Sequence, residues 1–402
     1  MAKAFENIKV VDFSQVLAGP FATQQLALQG AAVIKIEARG AGDQARQMMT
    51  PEGPLRDHGM GPVFLCVNAG KRSITLDLKH PKAGEIVRRL VADADVFIQN
   101  FKVGAIDRLG FGYDAIRAIN RSIVYCSISG YGQEGPRAAA AAYDGAIQAA
   151  SGMISTTGFA DNGPTRVGFT VVDMTTGLTA AFAISSALFR RQVTGEGQFL
   201  DVSMLDCALT QLGVWVADYN ATGREPQLLG NASPMRIATS DQYPARSGFV
   251  MVSALLESQI IALLEVLGRP ELIEDPRFSS DDARRENADA LRVELRETFR
   301  TDDASVWVDK LAAAGVPASE VMGMGQAVEQ PQLAHRGVLL DLPPPRGLDR
   351  PIPTPGAGFQ SPTDSAGTDL PPPGIGEHTD AILAELGYDG SEIAALRDDA
   401  VV

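Results

Sequence analysis

The sequence predicts an α/β protein built on a doubly wound, parallel β-sheet. Short apolar, β-branched runs recur through the first third of the chain, at residues 8–13, 31–37, 73–78, 94–101 and 122–129. Each run has the pattern of a buried strand. Helical segments such as HPKAGEIVRRLVADA lie between them. Strands that alternate with helices indicate parallel pairing, with helices on both faces of the sheet.

The elements follow one another in a regular order. IKVVDF is the first strand, a loop with Gly19 and Pro20 follows, and the helical segment FATQQLALQG ends at Gly30, because glycine often closes helices. AAVIKIE, SITLDL, ADVFIQNF and SIVYCSIS continue the series of strands. A helix-rich stretch is then expected from Met174 to about Tyr219.

Residues 224–330 have a different pattern and predict a smaller, separate α/β domain. GFVMVSAL at 248–255 indicates a strand, whereas DDARRENADALRVELRETF and DASVWVDKLAAAG are amphipathic helices. Ten of the 24 prolines then fall in residues 343–373. Because proline suits neither helix interiors nor central strands, this segment is expected to be extended. A short helix, TDAILAELGY, follows it.

Composition and charge narrow the classes of partner. The 402 residues carry a formal net charge of −14, which disfavours nucleic acid and anionic membranes as partners. The segment MAKAFENIKVVDF lacks the pattern of a signal peptide, so a cytoplasmic protein is expected. Three widely spaced cysteines and four histidines predict neither a disulfide framework nor a metal site.

One carboxylate stands in an apolar setting, in the stretch GFTVVDMTTGLTAAF at 168–182. Asp173 follows two valines and precedes an apparent helix. Because an unpaired buried carboxylate is costly, two interpretations arise. Asp173 could cap the helix by accepting backbone N–H groups. Alternatively, it is a nucleophile that the helix dipole keeps ionised. The pattern alone does not choose between them.

Basic residues gather near the ends of the predicted strands, where ligands of open α/β sheets bind. They are Arg39, Lys71, Arg72, Lys79, Lys102 and Arg108. Such side chains suit phosphate groups, although most lysines of this kind are simply solvated. The loop SQVLAGP at 14–20 has a comparable position but no GxGxxG motif. The pair Tyr143–Asp144 has the pattern of capping and packing at a helix start.

Several long blocks resemble the class III CoA-transferases, in the order found in that family. The family includes the formyl-CoA:oxalate, carnitine and succinyl-CoA-dependent enzymes. The resemblance covers nearly the whole chain. Its blocks are VVDFSQVLAGPFATQQLALQGAAVIKIEARGAGD, NAGKRSITLDLK, VFIQNFKVGAIDRLGFGYD, SISGYGQEGP, AYDGAIQAASG, VVDMTTGL, RRQVTGEGQFLDVSMLD and GEHTDAILAELGY.

The resemblance implies that Asp173 is the catalytic nucleophile, acting through an aspartyl anhydride and an aspartyl-CoA thioester. CoA and acyl-CoA would be substrates, with no permanently bound cofactor, and a free carboxylic acid would be the acceptor. The CoA contacts that the resemblance implies are Val16, Ala18, Leu76, Lys79, Asn100, Phe101, Lys102, Arg108, Ala142, Tyr143 and Asp144. From the basic residues near the strand ends we add Arg39 and Arg72 as expected CoA contacts.

The resemblance also implies an architecture. Residues 1–200 would form the first part of a Rossmann-like large domain, 201–223 a helical linker and 224–330 the small domain. Residues 331–402 would be a proline-rich return segment that completes the large domain. Family members form homodimers in which each chain makes a ring threaded by the other, and the same assembly is expected here.

Departures from the oxalate branch of the family bear on the substrate. Leu17 and Ala38 stand where that branch has glutamine and arginine, and LLGNASPM at 228–235 lacks its run of glycines. Oxalate is therefore disfavoured. We expect succinyl-CoA as donor and a dicarboxylic or branched acid as acceptor.

Two other functions remain open at this point. An α-methylacyl-CoA racemase shares the fold, but its two-base mechanism needs a histidine where Tyr143 stands. A non-catalytic CoA-binding protein would keep the basic residues without needing Asp173.

Overall fold

The computed structural model describes residues 2–50, 52–235 and 237–402. Its central feature is a six-stranded parallel sheet. The sheet has the order β3-β2-β1-β4-β5-β8. The strands up to β8, including the two-residue hairpin strands β6 and β7, are β1 (Lys9–Asp12), β2 (Ala32–Ala38), β3 (Lys71–Leu76), β4 (Val96–Gln99), β5 (Val124–Ser129), β6 (Gly158–Phe159), β7 (Gly163–Pro164) and β8 (Gln198–Ser203).

The five strands predicted from β-branched runs are confirmed to within a few residues, as is the parallel sheet. The helix-rich stretch predicted from Met174 to about Tyr219 is present, but it also contains β8, a strand that the sequence analysis did not predict. β8 pairs with β5 in register Val124↔Gln198 to Ser129↔Ser203. β8 is an edge strand whose first four residues are not buried. Its sequence therefore lacks the continuous apolar run of a central strand.

Helices cover the sheet and connect its strands. Those up to residue 222 are α1 (Ala18–Leu28), α2 (Pro54–Asp57), α3 (Pro62–Leu65), α4 (Pro81–Ala92), α5 (Ala105–Arg108), α6 (Tyr113–Ile119), α7 (Asp144–Ala150), α8 (Val171–Thr194), α9 (Met204–Gln211) and α10 (Gly213–Thr222). Short 3-10 turns occur at Gln44–Gln47 and Met153–Thr156.

The sheet buries a separate apolar cluster on each face, because successive strand side chains point in opposite directions. Val11 faces a cluster with Ile86 and Leu90 of α4. Val10 faces the other cluster, which contains Leu26 of α1 and Ile184 of α8. α8 is also apolar and long enough, by length and composition, to cross a membrane. Core helices pass that test as well.

A second compact unit contains residues 154–165 and 225–331. It holds a three-stranded antiparallel sheet made of β9 (Ser240–Pro244), β10 (Phe249–Ser253) and β11 (Ala318–Glu320). Its helices are α11 (Glu257–Val266), α12 (Glu271–Glu274), α13 (Asp281–Glu286), α14 (Ala288–Phe299), α15 (Ala304–Ala313) and α16 (Met324–Val328). Their apolar sides surround a core with Leu263, Leu295 and Phe299.

The remaining chain, including residues 332–402, belongs to the first unit together with the segments up to Met153 and from Arg166 to Arg224. After α17 (Pro331–Arg336), the short strands β12 (Leu339–Leu340) and β13 (Thr354–Pro355) pair in antiparallel fashion. α18 (Thr379–Glu385) and α19 (Gly390–Asp398) then place Ile382 and Leu396 in the cluster beside α4.

Candidate active site

A cleft of about 470 Å³ opens in the first unit at the carboxyl edge of the sheet. The segments that follow β1, β4 and β5 form its walls, as expected for an open α/β sheet. Asp173 lies in this cleft. The other lining residues are Gln15, Val16, Leu17, Ala18, Gln44, Asn100, Phe101, Lys102, Val103, Ile128, Ser129, Gly130, Ala138, Ala139, Ala140, Ala141, Ala142, Tyr143 and Met204.

Asp173 is the third residue of α8, whose N-cap position is Thr170. The interpretation of Asp173 as the helix cap is therefore wrong. The carboxylate is half-buried and faces the cleft instead.

Asp144 caps α8 from a distant part of the sequence. Its Oδ2 atom accepts the backbone N–H groups of Val172 at 2.8 Å and Asp173 at 3.1 Å. Its Oδ1 atom accepts from the amide of Gln148 at 2.6 Å, and Gln148 in turn accepts the backbone N–H of Val167 at 2.9 Å. The first turn of α8 is therefore held by a buried carboxylate that leaves Asp173 free to face the cleft.

The environment raises the pKa of Asp173 to about 7. Burial is the larger cause, because it disfavours the charged form, and the nearby Asp144 carboxylate adds like-charge repulsion. The expectation that the helix dipole keeps Asp173 ionised is thus wrong in its net effect. A carboxylate with a strongly raised pKa in a cleft is typical of a functional group rather than a structural one.

Gly177, one turn after Asp173, lets α8 approach the beginning of α1. A Cβ atom on Gly177 would lie 2.6 Å from the carbonyl oxygen of Ala18 and 3.1 Å from Cβ of Phe21. No larger residue fits without moving one helix. The close crossing brings Asp173 into the same cleft as Ala18, the first residue of α1. The first N–H groups of a helix have no partner within the helix.

Eight of the residues implied by the family resemblance line the cleft together. They are Val16, Ala18, Asn100, Phe101, Lys102, Ala142, Tyr143 and Asp173. Asp144 lies behind the cleft and reaches it through the backbone of α8. Arg108 is not among the residues that line the cleft.

The structure does not bring Arg39, Arg72, Leu76 or Lys79 into the cleft either. Arg72 lies near the amino end of β3 and makes a two-pronged ion pair with Glu385, at 2.9 and 2.8 Å. Arg39 donates from Nε to the carbonyl oxygen of Val402 at 3.0 Å. Leu76 is buried in the apolar core. Lys79 is exposed in a turn in which its backbone N–H donates to Asp77.

Several cleft residues were not predicted from the sequence. Gln15 belongs to the same loop as Val16, so its position next to a predicted contact could have indicated that it lines the cleft. The alanines at 138–141 also line the cleft, but alanine carries no chemical signature that would predict a binding role. Met204 directly follows β8, the strand that the sequence analysis missed. Among the described residues, no group of three or more His, Cys, Asp or Glu side chains could hold a metal ion.

Comparison with known proteins assigns the family. Residues 5–379 match the model of CoA-transferase family III. The chain belongs to that family. It is 34% identical over 401 residues to succinyl-CoA:glutarate CoA-transferase of Homo sapiens, covering 100% of this chain and 90% of that protein. It is 39% identical over 338 residues to acetyl-CoA:oxalate CoA-transferase of Acetobacter aceti, covering 84% and 85%.

A solved structure supports the same fold for this CoA-transferase. The crystal structure of a CAIB/BAIF family protein from Brucella suis superposes with a TM-score of 0.86 at 35% sequence identity. The match covers 96% of this chain and 100% of that one. The predicted family and the predicted enzyme class are both confirmed.

Proposed function

We propose that this CoA-transferase moves CoA from an acyl-CoA donor, of which succinyl-CoA is the leading example, to a free dicarboxylic acid, with Asp173 as nucleophile. The observation that carries the proposal is the placement of a half-buried carboxylate, Asp173, in a cleft with the loop after β1 and with Lys102. Carboxylates are known nucleophiles in covalent catalysis.

The proposed reaction conserves the energy of the thioester at each step. An Asp173 oxygen attacks the thioester carbonyl carbon and expels the CoA thiolate, which leaves a mixed anhydride. The thiolate attacks Cγ of Asp173 and expels the donor acid, forming an aspartyl-CoA thioester. The acceptor carboxylate attacks Cγ and expels the thiolate again. The thiolate then attacks the acceptor's acyl carbon, which releases Asp173 and the new acyl-CoA.

The surroundings of Asp173 support this chemistry. Each tetrahedral intermediate carries an oxyanion that needs preorganised donors, and the N–H groups at the start of α1 are candidates because Ala18 lines the cleft. An anhydride must also be kept from water. The apolar side chains of Leu17, Ile128 and Met204 lie in the cleft wall and suit that need.

The acceptor class rests on the named relatives. Glutarate and oxalate, in the names of the human and Acetobacter aceti proteins, are both dicarboxylic acids. Leu17 and the absent glycine run still disfavour oxalate for this chain. The pantetheine and phosphates of CoA would follow Asn100, Phe101 and Lys102 away from Asp173.

The racemase alternative loses support because the residues described as lining the cleft include no histidine, and Tyr143 stands at the position concerned.

A cytoplasmic homodimer remains part of the proposal. Large exposed apolar side chains on α8 and α10 favour burial in an assembly, with Phe182 at 73%, Phe189 at 71% and Val214 at 81% exposure. Sedimentation that finds a stable, active monomer would contradict it.

The test is a cross-screen of donors and acceptors. Succinyl-, acetyl- and formyl-CoA are each mixed with glutarate, succinate, oxalate and branched acids, and new acyl-CoA masses are sought. A new thioester with the native chain, absent with Asp173→Ala while CoA binding remains, is the expected result. Deuterium uptake at the α-carbon of a branched acyl-CoA, without any transfer, would instead support the racemase.

A further inference from the structure

Val16 adopts a backbone conformation that its side chain disfavours. Its φ is +67°, in the left-handed region, where a β-branched residue is a genuine outlier. Val16 lies in the loop between β1 and α1 and lines the cleft that contains Asp173. Such strain persists only where the surrounding structure imposes it, and it clusters at functional sites.

Hydrogen bonds fix the backbone that leads into Val16. The N–H of Val16 donates to Oδ1 of Asp43 at 3.0 Å. The side-chain amide of Asn100 pairs with Gln15, donating to its carbonyl at 2.8 Å and accepting its N–H at 2.8 Å. The peptide group between Gln15 and Val16 is therefore held at its N–H by Asp43 and at its carbonyl by Asn100.

A buried ion pair stands behind the contact with Asp43. Nζ of Lys35 lies 2.8 Å from Oδ2 of Asp43, and both side chains are 0% exposed. The same ammonium group donates to the carbonyl of Ser14 at 2.8 Å. Lys35 thus links Asp43 to the first residue of the loop, so the pair holds the loop at residues 14 and 16.

A second buried ion pair, Asp12 with Lys71, contacts the two ends of the segment that joins β1 to α1. Asp12 lies 3.1 Å from Nζ of Lys71 and accepts the N–H of Ser14 at 2.8 Å. Lys71 also donates to the carbonyl of Pro20 at 2.8 Å, inside α1. Burial raises the pKa of Asp12, but Lys71 and Lys35 outweigh it and bring the pKa to about 2. Both ends of the loop are therefore tied to buried charges.

Neither Lys35 nor Asp43 lines the cleft, so substrate recognition does not account for them. Burying an ion pair is weak evidence of stabilisation, since apolar replacements are often as stable. What these two residues do in the structure is hold the backbone at Ser14 and Val16. That backbone leads directly into Ala18, beside Asp173.

We propose that Lys35 and Asp43 are positioning residues for the transfer reaction, because they hold Val16 in the left-handed conformation that presents the start of α1 to Asp173. The inference rests on the proposed function. It extends that function by two residues that touch neither substrate nor nucleophile. The contribution falls on the transition state, because the N–H groups of α1 are needed when the oxyanion forms.

The first variant is Asp43→Asn. It keeps the shape of the side chain but replaces one of the two accepting oxygens by an NH2 group, which then faces a hydrogen-bond donor. If the amide oxygen faces Val16, its NH2 group faces the Lys35 ammonium; if it is turned round, Val16 loses its acceptor. We expect kcat to fall about tenfold or more while the affinity for CoA, measured by equilibrium binding, stays unchanged.

The decisive comparison repeats this substitution in two backgrounds. Glycine adopts positive φ freely, so in Val16→Gly the loop keeps its conformation without the ion pair, and Asp43→Asn should lower kcat by less than about threefold. Alanine removes the same valine methyl groups but keeps the strain. In Val16→Ala, the full loss of about tenfold should therefore persist.

If Asp43 had a purely structural role, Asp43→Asn would lower the melting temperature, but the loss of kcat would be the same in the Val16→Gly and Val16→Ala proteins. If Asp43→Asn does not fold, Lys35→Gln/Asp43→Asn removes both charges together and enters the same comparison. Unchanged kcat, or equal losses in the glycine and alanine backgrounds, overturns the inference while native transfer stands. Absence of transfer by the native chain overturns the proposed function and this inference together.

Discussion

Replacing Asp173 by asparagine should stabilise the protein by about the free energy that its buried carboxylate costs the folded state. The substitution keeps the size of the side chain but removes its charge. In the native structure, burial and the neighbouring Asp144 carboxylate both oppose ionisation of Asp173. Asparagine does not ionise, so neither effect acts on it. Functional groups often reduce stability in this way, and replacing them recovers it.

The magnitude follows from the pKa of Asp173, which rises from 3.8 to about 7. Because the folded state binds the proton more tightly, the protonated residue favours folding, and this contribution is lost as the pH rises through 7. At about 1.4 kcal/mol per pKa unit, the raised pKa lowers stability by roughly 4 kcal/mol at pH 8, where Asp173 is ionised, and by about 2 kcal/mol at pH 5, where Asp173 takes up a proton on folding. The gain from asparagine should therefore be about 2 kcal/mol larger at pH 8.

Urea unfolding at pH 5 and pH 8 measures this difference, and hydrogen exchange across α8 localises it. Asp114→Asn is the matched control. Asp114 also lies in the first turn of a helix, α6, but is exposed, so its substitution should change stability by less than about 0.5 kcal/mol at either pH. A gain for Asp173→Asn that is absent, or equal at the two pH values, would refute the assignment of a strained carboxylate.

Three further predictions concern activity. Because the attacking group in the proposed reaction is the Asp173 carboxylate, kcat/KM should rise with pH through about 7, and Asp144→Asn should move this limb to lower pH by removing a like charge. Gly177→Ala should push α8 away from Ala18, lowering stability by about 1–3 kcal/mol and kcat by about tenfold or more. Lys102→Ala should weaken CoA binding about tenfold in calorimetry.

Each of these has a control. Gly84→Ala lies inside α4, where the added Cβ meets only the Arg88 side chain, 3.7 Å away, and should stabilise by about 0.5–1 kcal/mol. Lys310→Ala, in the second unit, should leave CoA affinity unchanged. An acid limb that stays in place in Asp144→Asn would show that its charge does not act on Asp173. Equal effects of alanine at Gly84 and Gly177 would contradict the close helix crossing.

Periodicity alone was sufficient for β1 to β5. These strands are largely buried, and their apolar runs therefore stand out from the helices between them. β8 was missed because its first four residues are not buried and its apolar run is interrupted, whereas β3, at the opposite edge of the sheet, is buried at all but one residue. The family blocks singled out Asp173, because a motif records local sequence around a reacting group.

The same local information could not assign the partners of that group. Asp144, which caps α8, precedes Val172 by 28 positions in the sequence. Lys102 reaches the cleft from the segment that follows β4. Arg39 and Arg72 were expected in the CoA site because basic residues near strand ends suit phosphates. Arg72 lies near the amino end of β3, away from the carboxyl edge that forms the cleft, and pairs with Glu385. Arg39 does follow the carboxyl end of β2, but its side chain donates to Val402 instead.

The sequence by itself determined the sheet and the family, and it singled out Asp173 as the proposed nucleophile, because these depend on residue type and spacing along the chain. Only the tertiary structure decided the state of Asp173 and the shape of the loop beside it. The pKa of a carboxylate depends on burial and on charges brought near by folding. The left-handed Val16 likewise depends on Asp43 and Lys35, which no local pattern connects to it.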